Sequence, residues 1–217
     1  AIGYNVTERR RDASYYDLLA SESRLGSLLA IATRDVPQEH WFHLGRLVTN
    51  IDGRATLMSW GGTMFEYLMP QLLMRSFPGT LLDQSCRASV RRQIDYGKER
   101  NVPWGISESA YAFTDREGNY QYRAFGVPGL GLKRGLATDL VVAPYATALA
   151  SLVTPAAAAE NFARLAELGL EGRFGFYEAL DYNPRSREAE FPEDSKARPA
   201  VVRAYFAHHQ GMSLVAL

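Results

Sequence analysis

The apolar residues of this chain recur at helical spacing, and nowhere do short apolar strands alternate with helices as a parallel sheet requires. That pattern excludes a doubly wound α/β fold and leaves helices joined by long connectors. Residues 15–34 carry apolar residues at Leu18, Leu19, Leu25, Leu28, Leu29 and Ile31, a spacing that suits an amphipathic helix. Ser14 is a candidate N-cap, with Asp17 three residues on. Residues 46–60 contain Asp52-Gly53 between apolar flanks, which predicts a β-hairpin. Gly61-Gly62 breaks the chain, and Thr63 can cap a helix to about Phe77 that Pro70 kinks or ends. Pro78-Gly79 precedes a long polar helix from Thr80 to about Arg100. Residues 102–135 read as an irregular loop carrying a short hairpin at Glu117-Gly118-Asn119. Helices are expected over 143–153 and 155–169, then a charged, Pro-punctuated surface loop over 183–199, then a last helix from about Ala200. The expectation is an all-α fold, a barrel or toroid, with one small hairpin and long loops.

Composition narrows the function classes. The 217 residues contain 24 Lys plus Arg and 24 Asp plus Glu. A balanced charge gives no footprint for nucleic acid or an anionic membrane. The runs Arg9-Arg10-Arg11 and Arg91-Arg92 read as solvated faces. The single cysteine, Cys86, can close no internal disulfide and lacks the companions of a zinc site, so a buried structural thiol is expected. No apolar run reaches the roughly 18 residues that span a bilayer. Both ends break off inside structured-looking segments, which predicts a domain, residues 1–217, cut from a longer protein.

Three segments combine glycine, aromatic and acidic residues: 59–67 around Trp60 and Glu66, 102–111 around Trp104, Glu108 and Tyr111, and 173–182 around Tyr177 and Glu178. Sugars present apolar C–H faces rimmed by hydroxyls, so they need flat aromatic surface beside carboxylates and amides. Cleaving or transferring a glycosidic bond needs two carboxyl groups, one of which keeps its proton through burial or a like charge. Glu108 is the first candidate for that acid, the alternative being a helix cap or a backbone partner. Glu22 falls on an apolar helical face with Leu18 and Gly26, either aimed into a site or paired with a cation such as Arg24. Glu66 and Glu178 either bind sugar hydroxyls or pair with arginine. Adjacent His208 and His209 cannot share a helical face, so one can line a site while the other packs. His40 and His43 stand at i and i+3, but no carboxylate triad or cysteine accompanies them, and no metal and no cofactor are expected.

Ordered blocks carry a resemblance: Tyr15-Tyr16-Asp17-Leu18-Leu19-Ala20-Ser21-Glu22-Ser23-Arg24, Val36-Pro37-Gln38-Glu39-His40-Trp41-Phe42, Met64-Phe65-Glu66-Tyr67-Leu68-Met69-Pro70, Trp104-Gly105-Ile106-Ser107-Glu108-Ser109, Phe125-Gly126-Val127-Pro128-Gly129 and Ala207-His208-His209-Gln210-Gly211-Met212. Together they resemble the glucoamylase-like domain of cyclic β-1,2-glucan synthases. The resemblance implies an (α/α) toroid of the glucoamylase type, here incomplete. It implies a retaining transglycosylase that cyclises linear β-1,2-glucan, with Glu22 as nucleophile and Glu108 as acid/base. Retention would place the two carboxyl groups about 5–5.5 Å apart. Substrate contacts are expected from Trp60, Glu66, Trp104, Tyr111, Phe125, Tyr177, Glu178, His208, His209 and Gln210. The implied partners are a glucan chain and the other domains of a membrane-bound synthase, on the cytoplasmic side of a bacterial inner membrane. A glucan hydrolase and a non-catalytic glucan-binding module are the competing readings.

Overall fold

A computed structural model describes residues 3–183 and 199–217 of the chain. The all-α expectation is not met. Among the described residues, seven α-helices alternate with eleven short strands gathered in small antiparallel sheets. The strands are β1 (Tyr4–Asn5), β2 (Arg10–Arg11), β3 (Val48–Ile51), β4 (Arg54–Leu57), β5 (Glu108–Thr114), β6 (Tyr120–Ala124), β7 (Val141–Val142), β8 (Glu171–Gly172), β9 (Gly175–Phe176), β10 (Ala179–Asp181) and β11 (Ala200–Val202). Most are too short to show a two-residue period in sequence. They form because buried connectors must still pair their N–H and C=O groups, and short ladders do so. The last segment shows this: Ala200 opens strand β11, paired to β10, rather than the expected helix. Most of the loop expected over 183–199 lies outside the described residues.

The helices are α1 (Ser23–Ala32), α2 (His40–His43), α3 (Met64–Leu68), α4 (Leu81–Glu99), α5 (Pro144–Ser151), α6 (Pro155–Glu167) and α7 (Ala207–Ala216). Helix α4 follows its sequence signals: the Thr80 side chain accepts the Asp83 amide and Arg100 closes the far end. Helix α1 starts eight residues later than its apolar spacing predicts. Leu18 is held in an extended bridge to Gly45, with Leu19 N–H donating to Gly45 C=O at 2.9 Å and Gly45 N–H to Asp17 C=O at 2.7 Å. Leu18 and Leu19 are thus buried by pairing across the chain and not by a helix. The hairpin over 48–57 forms as expected, with Asp52 at φ 50° and Gly53 at φ 78° supplying the left-handed turn. Helix α3 ends at Leu68, and Pro70 sits in a 3₁₀ turn over Met69–Leu72.

The core is continuous. Helix α5 is apolar all round and buried along nearly its whole length, and Met64, Tyr67 and Leu68 of α3 are fully enclosed. Two side chains position the site from inside this core. Arg24, only 1% exposed, donates to the carbonyls of Ser21 and Glu66, each at 2.9 Å, and to that of Tyr67 at 2.6 Å. It fastens the start of α1 to α3 through backbone oxygens. The second is Tyr67, whose hydroxyl meets the carbonyls of Leu57 at 2.7 Å and Leu130 at 2.9 Å.

Residues 59–62 are clasped by residues 127–133: Ser59 N–H donates to Leu130, Val127 N–H to Gly62 and Lys133 N–H to Trp60. The approach leaves no room for a side chain. A Cβ on Gly131 would stand 2.5 Å from the Gly61 carbonyl carbon and the Gly62 nitrogen. Gly131→Ala is therefore expected to cost at least ~1–3 kcal/mol in a denaturant melt, as overpacking does. Gly26→Ala, in the exposed middle of α1 with open space around it, is expected to stabilise by about 0.5–1 kcal/mol.

Candidate functional site

Glu66 organises the site. It is 1% exposed and completes a capping box with Thr63 at the start of α3. Its Oε1 accepts the amides of Trp60 and Gly61 at 2.9 Å, and its Oε2 accepts the Thr63 amide and the Ser59 hydroxyl at 2.9 Å. A buried carboxylate is tolerated when several fixed donors replace water. Here those donors belong to the turn that carries Trp60, so Glu66 holds the indole in place. It pairs with backbone rather than with arginine.

Glu66 also borders a cavity of about 420 Å³ lined by Tyr16, Trp60, Glu108 and Lys133 among others. Tyr16 stacks on Trp60 with ring centroids 5.8 Å apart at 20°. Its hydroxyl donates toward Glu22 Oε2 at 3.1 Å and lies 3.3 Å from Glu66 Oε1. Glu22 itself is the N-cap residue of α1, not a mid-helix residue, and its side chain makes no capping bond. Burial raises its pKa, and Glu66 adds to the rise, while its own amide, Tyr16 and Arg24 pull it down. Glu108 opens β5. Burial pushes its carboxyl up to about 7, with Glu22 and then Glu66 adding to the rise and Lys133 opposing it. Lys133 is anchored by its Nζ on the carbonyl of Ala124, the residue directly across the hairpin from Glu108. The structure thus brings Glu22, Glu66, Glu108 and Trp60 together, and it adds Tyr16 and Lys133, which the sequence did not single out. The doubled tyrosine before Asp17 was the available signal for Tyr16; nothing local marks Lys133.

The remaining expected residues gather elsewhere. Glu178 and His209, 2% and 1% exposed, face each other with Oε2 and Nδ1 at 2.9 Å. The His209 ring stacks on Tyr145 at 3.7 Å, and its Nε2 meets the Tyr122 hydroxyl at 3.2 Å. Glu178 Oε1 accepts the Ala110 amide, tying this pair to β5, again in place of an arginine. Burial raises Glu178 to about 8 and depresses His209 to about 4. Tyr177, Glu178, His209 and Gln210 line a second, mainly apolar cavity of about 320 Å³ with Phe162 and Phe176. His208 is exposed, so of the two histidines His209 is the one that packs.

Three expected sugar contacts sit apart from the first cavity. Trp104 is a core residue: Asn161 brackets its backbone, accepting its N–H and donating to its C=O. Tyr111 leaves β5 on the face opposite Glu108, since side chains alternate along a strand, and stacks on Phe113. Phe125 is buried edge-on against Tyr111. Cys86 is buried as expected, its thiol pushed up to about 11 by burial. His40 meets Ser27 Oγ at 3.2 Å, and among the described residues no group of three or more His, Cys, Asp or Glu is disposed to hold a metal. No helix among the described residues is long and apolar enough to cross a membrane.

Partly buried carboxyl groups gathered close enough to raise the pKa of Glu108, beside a stacked indole, can carry acid–base and nucleophilic chemistry on a sugar, as in a glycosidase-type domain. The chain belongs to the putative glucoamylase family, whose model matches residues 14–217. It is 49% identical over all 217 residues to the cyclic β-(1,2)-glucan synthase NdvB of Rhizobium meliloti (strain 1021), and it spans 8% of the length of that relative. An endo-β-1,2-glucanase from Chitinophaga pinensis, solved with sophorotriose and glucose, superposes with a TM-score of 0.54 at 16% identity, covering 82% of this chain and 43% of the glucanase. A putative glucoamylase from Bacteroides uniformis ATCC 8492 gives 0.53 at 18% identity, with 82% and 42% covered. At these identities the two structures establish a shared fold.

The carboxyl groups predict how stability depends on pH. Glu178 holds its proton to about pH 8 when folded, against an ordinary value of 4.5. Its stabilising contribution is complete below 4.5 and is lost as pH rises through 8; Glu108 acts in the same sense up to about 7. His209, lowered from 6.5 to about 4, contributes above 6.5 and loses its contribution as pH falls through 4. Between pH 6.5 and 8 the carboxyl groups therefore act unopposed. Thermal melts are expected to show falling stability across that window, and Glu178→Gln, which cannot ionise, is expected to flatten the fall.

Proposed function

We propose that this chain is a catalytic domain acting on β-1,2-glucan by retaining transglycosylation, closing a linear chain into a ring, with Glu22 as nucleophile and Glu108 as acid/base. The observation that carries the reading is the environment of Glu108: burial beside two other carboxyl groups raises its pKa to about 7, the range a group needs to give and take a proton near neutrality. Glu22 borders the same cluster, and the names of the synthase relative and the glucanase neighbour supply the substrate class.

In this mechanism a Glu22 oxygen attacks the anomeric carbon while Glu108 protonates the departing glycosidic oxygen. Glu108, now a carboxylate, takes the proton of an acceptor hydroxyl as that oxygen displaces Glu22. An acceptor at the far end of the same chain closes a ring; water in its place gives hydrolysis. Trp60 would form the sugar platform. Its Nε1 is buried and has no partner among the described residues, so the contact with a sugar would come from the face of the ring. The parent would be a larger membrane-bound synthase whose other domains supply the linear glucan, with this domain on the cytoplasmic side of a bacterial inner membrane.

Incubation with linear β-1,2-glucan and mass analysis tests the reading. A product lighter than the linear chain of equal length by one water is expected. Glu22→Gln and Glu108→Gln are each expected to lower turnover by about 10²–10⁴-fold while glucan still binds. Products heavier by water at each cut would make the domain a hydrolase. Unchanged turnover in both variants would leave it a binding module.

A further inference from the structure

Tyr16 stands where one phenol proton meets two carboxylates. Its hydroxyl is 3.1 Å from Glu22 Oε2 and 3.3 Å from Glu66 Oε1. The two acceptors are not equivalent. Glu66 Oε1 already accepts two backbone amides at 2.9 Å, whereas Glu22 makes no helix-capping bond and takes the Tyr16 hydroxyl on a single oxygen. A donor with one proton goes to the nearer oxygen, and Glu66 Oε1 is already filled by two amides, so the bond runs to Glu22 Oε2. The ring is fixed by its stack on Trp60, which Glu66 holds through the Trp60 and Gly61 amides. The chain of support runs from a buried, immobile carboxylate to an indole, from the indole to a phenol, and from the phenol to one named oxygen of Glu22.

We propose that Tyr16 is the positioning residue of the nucleophile: by holding Glu22 Oε2 it leaves Oε1 as the atom that forms the bond to the sugar. The proposal rests on the role given to Glu22 above. In the first step the bond from the anomeric carbon to the leaving oxygen breaks, the bond to Glu22 Oε1 forms, and the Glu108 proton passes to the leaving oxygen. The Tyr16 bond weakens here, because Oε2 becomes the carbonyl oxygen of an ester. In the second step the acceptor oxygen bonds to the anomeric carbon, its proton goes to Glu108, and the Oε1 bond breaks with its electron pair returning to Glu22. Negative charge reappears on Glu22, so the Tyr16 hydrogen bond is stronger in that transition state than in the ester and speeds release. Burial, with Glu66, Glu22 and Glu108 close by, holds the Tyr16 phenol in its protonated form far above its ordinary range, so it remains a donor at every working pH.

The charged and titratable groups around Glu22 are Tyr16, Glu66, Arg24 and Glu108, and Tyr16 contributes a hydrogen bond that lowers its pKa. Tyr16→Phe keeps the stack on Trp60 and removes only the hydroxyl. The first readout needs no substrate: the Glu22 carboxyl carbon is titrated by NMR in the full chain, assigned by its loss in Glu22→Gln. Its pKa is expected to rise in Tyr16→Phe. Site-specific replacement of Tyr16 by a fluorinated tyrosine, a stronger donor, is expected to move it the opposite way, an opposed pair of shifts that simple loosening of the fold would not produce. With glucan present, Tyr16→Phe is expected to lower kcat by about 10–10²-fold with little change in KM, and to leave a glycosyl adduct visible in the intact protein mass. A Glu22 titration that neither substitution moves overturns the inference. Full turnover in Glu22→Gln overturns instead the role of Glu22 itself, so the two failures are told apart.

Discussion

The cavity depends on one buried anion solvated by peptide groups. Water stabilises a carboxylate with several donors, and a carboxylate taken out of water needs comparable donors in fixed positions. Glu66 finds them in the amides of Trp60, Gly61 and Thr63 and in the hydroxyl of Ser59. The same bonds that satisfy the anion define the path of the 59–63 turn. Because Gly61 and Gly62 lie within van der Waals contact of Gly126 and Gly131, that turn is pressed against the 126–133 segment without intervening side chains. Trp60 and Lys133 are set beside each other by this contact.

Arg24 does the complementary work. It is a buried cation satisfied by three backbone carbonyls, two of which belong to Glu66 and Tyr67 on α3. It therefore delivers Glu22, two residues before it, to the end of the helix that Glu66 caps. Glu108 arrives from the other direction on β5, a strand whose edge away from β6 is met by carboxylates: Glu178 accepts the Ala110 amide and Asp181 the Ala112 amide. Three carboxyl groups from distant parts of the chain thus share one low-dielectric region. Burial, and then the repulsion of Glu22 and Glu66, raise one of them, Glu108, to about 7.

Helix α4 was legible because its signals are local: a Thr80 cap, an unbroken polar–apolar period and a basic end. The 48–57 hairpin was legible for the same reason, since Asp52-Gly53 can take the left-handed turn without help. Leu18 and Leu19 misled because their spacing fits a helix equally well, and only Gly45, far along the chain, claims them for an extended bridge. The short strands escaped notice because two or three residues carry no period. Trp104 and Tyr111 were misplaced because an aromatic residue beside glycine reads alike whether it faces a ligand or a core.

The sequence alone was enough to point to a carbohydrate-active domain and to the family resemblance, because these rest on residue identity within ordered motifs. Tertiary structure alone decided which glutamate is a structural anchor and which has its pKa raised toward neutrality, and which aromatic rings reach the cavity. It also divided the expected site residues between two cavities and placed a phenol between Glu22 and Glu66. The reason is physical: a carboxyl group's burial, its donors and its like-charged neighbours are set by contacts between residues such as 16, 22, 66 and 108, and no local window of sequence contains them together.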